Sequence, residues 1–265
     1  MSDFGKIRVG RMIVKGNTRY VPQYKNYVTI VVHTEKFNKW SALSPYVLKK
    51  NGQIIENVWH AHKVWKEVPA VKIPKSRWDS KMIIWERGNE KHVDEFGNPN
   101  ETWKKWHEDL SNAEYAVRYP AGFKNKKNTL YSWKEGRKLS YVESRKEIYV
   151  PLYIESVQKE EKFNELAEML KKGKNLLIVE VDGPHQESLD YYVENYGVEN
   201  DFIQEDSIAA TKGRLSIMLH DEKHSYGHGY CLAMALLGFS VKDLENAKTS
   251  SIGTKKFKSE KECIV

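Results

Sequence analysis

Between Ile55 and Trp65 the apolar residues recur at helical spacing, and this pattern narrows what the chain can fold into more than any other. Ile55, Val58, Trp59 and His62 stand at i, i+3, i+4 and i+7, a stripe that would face a core. Glu56, His60 and Lys63 stand at i, i+4 and i+7 on the adjacent stripe. A carboxylate, an imidazole and an amine would therefore meet at the edge of a buried helix, which is how a recessed site is built. An amphipathic helix with a solvated Glu56 and Lys63 and an incidental His60 satisfies the same periodicity.

The 265 residues are 40% hydrophobic and 12% aromatic, enough to bury a sizeable core as one large domain or a tight pair. Lys and Arg number 43 against 36 Asp and Glu, a net charge of +7 that leans towards phosphates, nucleotides or nucleic acid. No run approaches the ~18 apolar residues of a spanning helix, and the start at Met1 has no apolar signal region. The expectation is a soluble, cytoplasmic protein with no membrane partner. Cys231 and Cys263 give no disulfide framework, and Cys263, third from the end, is misplaced for prenylation, so both read as free thiols.

Residues 1–35 read as a strand-rich segment: Ile7 to Val9, Arg11 to Val14 and the β-branched run from Tyr27 to Val32. The helix from 55 to 67 should stop at Pro69, and Met82 to Glu86 reads as a strand. Asn98, with Pro99 at the first helical position and Glu101 three after the cap, predicts a helix carrying Trp103, Trp106 and Leu110 on one face. Tyr115 to Tyr119 and Thr129 to Trp133 look like strands around the basic turn Lys124 to Asn128. Ser140 with Glu143 forms a capping box for a long helical tract that Pro151 should kink or break and Gly173 should end. Leu176 to Asp182 reads as a buried strand, Ser188 as the cap of a helix closed by Gly197, and 198–212 as polar connection. A small-residue apolar helix follows between Gly227 and Gly238, and 241–265 reads as a charged, frayed tail. The expectation is a single domain over 1–240.

Several chemistries find little support. His220, His224 and His228 are four apart, but Gly227 and Gly229 interrupt any shared helix and the Glu of a His-Glu-x-x-His zinc helix is missing, so no metal or cofactor is expected. Phosphate-loop, dinucleotide and serine-elbow glycine motifs are not present either. Aromatic and basic residues interleave at Thr102 to His107 and Tyr131 to Lys138, which suits base stacking but equally a helix with core tryptophans and solvated lysines. Glu180 is the most telling carboxylate, since a charge in the run Leu176 to Val181 costs several kcal/mol unless it is partnered, faces a cleft or sits on an edge strand. Asp182 ends the same strand and Asp190 adjoins Tyr191 and Tyr192.

The spacing Glu56-x-x-Trp59-His60-Ala61-His62-Lys63 is similar to the Glu-His-Tyr-Phe-Gln-Ala-x-Lys helix of the NADAR, or YbiA-like, family of N-glycosidases. Trp40 to Gly52 resembles that family's entry to the helix; Lys162-Phe163, Leu170, Gly173 and Leu177 to Glu180 follow the order of a later segment; Tyr141 stands where the family tends to have Trp. The helix after Gly229 resembles the family's closing segment, with Tyr230 in place of Asn and Met234 in place of Lys. The family's Asp-x-x-Trp-Gly-x-Gly is not present as such, and Asp182 to His185 or Asp190 to Tyr192 are its stand-ins.

The resemblance implies a helix-rich α+β domain with a small antiparallel sheet, hydrolysing an N-glycosidic bond in a nucleotide or ADP-ribose-type substrate, an ADP-ribosylated base or nucleic acid included. An ionised carboxylate stabilises the oxocarbenium character that develops as a base leaves ribose, and Glu56 takes that role. Asp190 or Asp182 would share acid and base duty. Trp40, His60, Lys63, Tyr141, Glu180, Tyr192 and Gly229 would hold the substrate, with the tyrosines stacking on the base. Sequestering a nucleotide without turnover, or acting as a nucleic-acid accessory protein through the lysine-rich turn, are the alternatives. Two geometric expectations follow: Glu56, His60 and Lys63 line a concavity, and Glu180 and Asp182 lie near Glu56.

Overall fold

The apolar run after Lys174 forms the strand Asn175–Glu180, which lies inside a four-stranded sheet. It pairs in parallel with Ile7–Arg11 on one side, Ile7 opposite Leu176 and Arg11 opposite Glu180, and with Tyr27–Val31 on the other. Ser207–Ala209 completes the sheet, antiparallel to Arg8 through Gly10. A strand covered on both faces must be apolar at every position rather than alternating, and this one is. Leu176 and Ile178 face the main core, while Leu177 and Val179 pack with Met12 on the opposite side.

The computed structural model describes residues 4–15, 18–33, 38–66, 68–71, 85–117 and 128–251, and within them the protein is a helix-rich α+β fold with small sheets. Its helices are α1 (Ile55–Ala61), α2 (Glu101–Ser111), α3 (Tyr141–Ser144), α4 (Val150–Val157), α5 (Glu161–Lys171), α6 (Leu189–Tyr196), α7 (Lys212–His220), α8 (His228–Leu237) and α9 (Val241–Ser251). The buried helix α8 packs on the sheet and on α4 and carries much of the core. A second apolar cluster joins Ala61, Val64 and Trp65 to Trp103, Trp106 and Leu110 of α2. Among the described residues no helix is long and apolar enough to cross a membrane.

Several local expectations need correction. Antiparallel pairing is found in the smaller sheets, whereas the largest is mixed with a parallel centre, because its strands come from segments far apart in the chain rather than from hairpins. The first helix ends at Ala61, not 67, since Lys63–Trp65 forms a strand against Thr129–Lys134. The cap of α2 is Asn100, whose Oδ1 accepts from Trp103 N at 3.0 Å; Pro99 instead bridges to Val93. Tyr115 to Val117 is not a strand: Asn57, fully buried, donates to the Tyr115 carbonyl at 2.9 Å and accepts from Val117 N at 2.8 Å, replacing a strand partner. Residues 198–212 contain the strand Ser207–Ala209. The tail is not frayed over 241–251, where α9 packs on α7 and buries Leu244. Met82 to Ile84, Arg118 and Tyr119, the turn from Lys124 to Lys127, and Cys263 lie outside the described residues.

Pro151 does not break its tract. The capping box of Ser140 and Glu143 starts α3, and a π-helical turn, Arg145–Tyr149, passes the chain into α4 with Pro151 in its first turn. Proline has no N–H to give the carbonyl four residues back. That carbonyl, of Glu147, accepts instead from Lys134 Nζ at 3.0 Å.

Candidate functional site

Glu56 lies in the first turn of α1, where the helix dipole favours a negative charge. Its Oε1 is 3.0 Å from His60 Nε2, and Lys63 Nζ is 3.2 Å from His60 Nδ1. The ammonium can only donate, so Nδ1 accepts and Nε2–H points to the carboxylate. The stripe read as one helical face thus survives the early end of the helix, because Lys63, now the first residue of a strand, reaches back to His60 and over the Trp59 ring at 4.7 Å. Burial opposes ionisation of Glu56, yet the His60 hydrogen bond and electrostatic attraction to His60, Lys63 and His228 outweigh it and hold the carboxyl below its ordinary range. It keeps 8% of its surface exposed, so it does not project into bulk solvent.

Glu180, only 1% exposed, ends the central strand beneath the N-terminus of α8. Its Oε1 accepts from Gly229 N at 2.9 Å and its Oε2 lies 3.1 Å from His228 Nδ1. A Cβ on Gly227 would stand 2.2 Å from Oε2, and one on Gly229 2.8 Å from Oε1, so both glycines are needed for the carboxyl to seat there. Burial pushes Glu180 up to about 7, Asp182 adds to this, and His228 and the amides of Gly229 and Tyr230 pull against it. His228 Nε2 donates to the Val32 carbonyl at 3.0 Å, which fixes the ring with Nδ1 turned towards Glu180.

An aromatic series links the two carboxylates. Trp59 and Tyr149 have ring centroids 5.2 Å apart, Tyr149 and Tyr153 6.5 Å, and Tyr153 and His228 6.3 Å. Burial raises the Tyr149 hydroxyl, and Glu56 and Glu180 both add to the rise, while the charge of His228, the partner of Glu180, acts on Glu56. The residues come from α1, the π-helical turn, α4, the central strand and α8. π-Helical turns occur frequently at functional sites.

The remaining expected residues are dispersed. Asp182 is exposed and lines a cavity of about 170 Å³ together with His185, Tyr192, Lys223, His224 and Tyr230. Glu56 is not among that cavity's lining residues. Tyr192 is buried there and donates to Asp221 at 2.7 Å, so its hydroxyl is engaged in the core rather than offered as a stacking platform. Asp190 is exposed in the first turn of α6. Of the carboxylates singled out in the sequence beside Glu56, Glu180 is the one seated under α8 against Gly229 and His228. Tyr141 is 6.5 Å from Trp59 by centroid and carries Arg145 over its ring. Trp40 is buried in the main core beneath Lys39 and Lys162. Gly229 meets Glu180 directly.

Tyr149, Tyr153 and His228 were missed as site residues. Tyr141, Arg145, Tyr149 and Tyr153 recur every four residues, a helical face that could have been read, and His228 between two glycines was weighed only as a metal ligand. The fold is an α+β scaffold that buries two carboxylates of diverging acidity, Glu56 held below its ordinary range and Glu180 raised to about 7. No family model, curated protein or solved structure matches the chain.

Proposed function

We propose that the protein is an N-glycosidase acting on a nucleotide of the ADP-ribose class, the activity that the NADAR resemblance of the Glu56 to Lys63 segment implies. The observation that supports it best is the opposed pair of buried carboxylates, Glu56 held ionised and Glu180 raised to about 7, since diverging acidities separate a charge stabiliser from a proton donor. As the bond between base and ribose breaks, its electrons go to the base, which takes a proton from Glu180. Positive charge grows at the anomeric carbon and is met by Glu56; water adds there and passes a proton to Glu56. Lys63 and His60 are cationic or polar contacts for a phosphate or ribose hydroxyl.

A second reading, binding of such a nucleotide without turnover, is favoured by the separation of Glu56 from the lining of the 170 Å³ cavity. Incubation with ADP-ribosylated nucleic acid, NAD and free ADP-ribose, with products read by mass spectrometry, distinguishes the two. Glu56→Gln keeps shape but removes the charge, so it should retain binding and melting temperature and lose turnover by about a hundredfold or more. Equal turnover in both proteins makes Glu56 structural; binding without any product supports the second reading.

A further inference from the structure

Beside the cavity, and outside the two-carboxylate centre, a serine, a histidine and an aspartate are joined in series. His224 Nδ1 is 2.6 Å from Asp221 Oδ2, and its Nε2 is 3.2 Å from Ser188 Oγ. Asp221 is fully buried; its Oδ1 also accepts from Tyr191 at 2.8 Å and from Lys223 N at 3.0 Å, and its Oδ2 from Tyr192 at 2.7 Å. Burial opposes its ionisation, but the bonds from Tyr192, His224 and Tyr191 prevail and hold it below the ordinary range. An anionic Asp221 fixes the hydrogen on Nδ1 and leaves the Nε2 lone pair facing the Ser188 hydroxyl, the arrangement in which an imidazole takes a proton from a nucleophile.

Ser188 occupies the N-cap position of α6, where a serine ordinarily accepts from its own helix. Here it makes no such bond and is turned instead to a histidine 36 residues away. His224 borders the cavity of about 170 Å³, close to the size of a benzene-binding void. In the same lining, the fully buried Tyr230 hydroxyl has no hydrogen-bond partner among the described residues, a polar group open to a ligand atom.

We propose that Ser188, His224 and Asp221 form a second, nucleophilic site that hydrolyses esters of small acyl groups. Ser188 Oγ bonds to the acyl carbon as its proton passes to His224 Nε2. The ester C–O bond then breaks, and His224 returns the proton to the departing alcohol. Water, deprotonated by His224, then adds to the acyl carbon, the bond to Ser188 Oγ breaks as His224 returns the proton to that oxygen, and the carboxylic acid is released. Asp221 is a positioning residue that keeps the tautomer.

The test uses the full chain with a fluorophosphonate probe and with p-nitrophenyl acetate. Attack of Ser188 on phosphorus would expel fluoride and leave a mass increment mapping to Ser188, and the ester would release p-nitrophenol. Ser188→Ala should abolish both with an unchanged melting temperature. His224→Gln, which keeps a polar side chain, should slow both by about a hundredfold or more. No labelling of the wild type, labelling at another residue, or equal rates in the His224→Gln protein would overturn the proposal.

Discussion

A single hydrogen atom at Gly227 decides where Glu180 sits. A methyl group there would come within 2.6 Å of the carboxyl carbon, so Gly227→Ala must push either the carboxyl or the start of α8 aside. The expected cost is that of overpacking, about 1–3 kcal/mol, seen as a lower denaturant midpoint. The same substitution should alter the alkaline limb of any activity profile, because a displaced Glu180 carboxyl loses the Gly229 amide that counters the upward shift of its pKa. Glu180 itself links stability to pH. Its folded value, about 7, lies above the ordinary 4.5, so its contribution is fully present below 4.5 and is lost as pH rises through 7. The stability advantage of the wild type over Glu180→Gln should therefore shrink between pH 5 and 8, by on the order of 3 kcal/mol at most, as urea unfolding at the two pH values would measure.

At the level of elements, the turn from Arg145 to Tyr149 is held open by a proline and a lysine. Pro151→Ala would restore an amide for the Glu147 carbonyl, now served by Lys134, and would favour an ordinary α-helix in place of the π-helical turn. Rewinding would rotate Tyr149 away from its place between Glu56 and Glu180. The variant should be no less stable by thermal melting yet several-fold slower in turnover, and an unaltered rate would separate the turn from function. The local features of these elements were legible in the sequence: the capping box at Ser140, the tryptophan face of α2, and the strand at Leu176 depend on neighbours within a few residues. Lys63 was misread as helical because the strand it joins begins at Thr129. Tyr115 to Val117 was misread because a buried Asn57 supplies what a strand would have. Glu180 announced itself as a charge that must have a partner, but His228 could not be named from periodicity, since it arrives 48 residues later on another element.

For the molecule as a whole, acid and base act through different residues. Burial lowers His62 and His92 to about 4, in His62 against a hydrogen bond to the Trp133 carbonyl. Because these folded values lie below the ordinary 6.5, the stability they carry is present above pH 6.5 and is lost as pH falls towards 4. With Glu180 acting in the opposite direction, the melting temperature should peak near pH 6.5 to 7, and His92→Asn should flatten the acid side of the curve. The sheet holds one more consequence. Among the described residues Ile7–Arg11 pairs with Asn175–Glu180 and Ser207–Ala209, so during synthesis it must wait for roughly 170 further residues before either neighbour exists. At ordinary ribosomal rates of about 5–20 residues per second, a bare apolar edge would persist for roughly 10–30 seconds. The floor of the Glu180 centre is thus among the last parts of the protein to be assembled, and a nascent chain of this kind depends on something shielding its first strand until the eleventh-hour arrival of its partner.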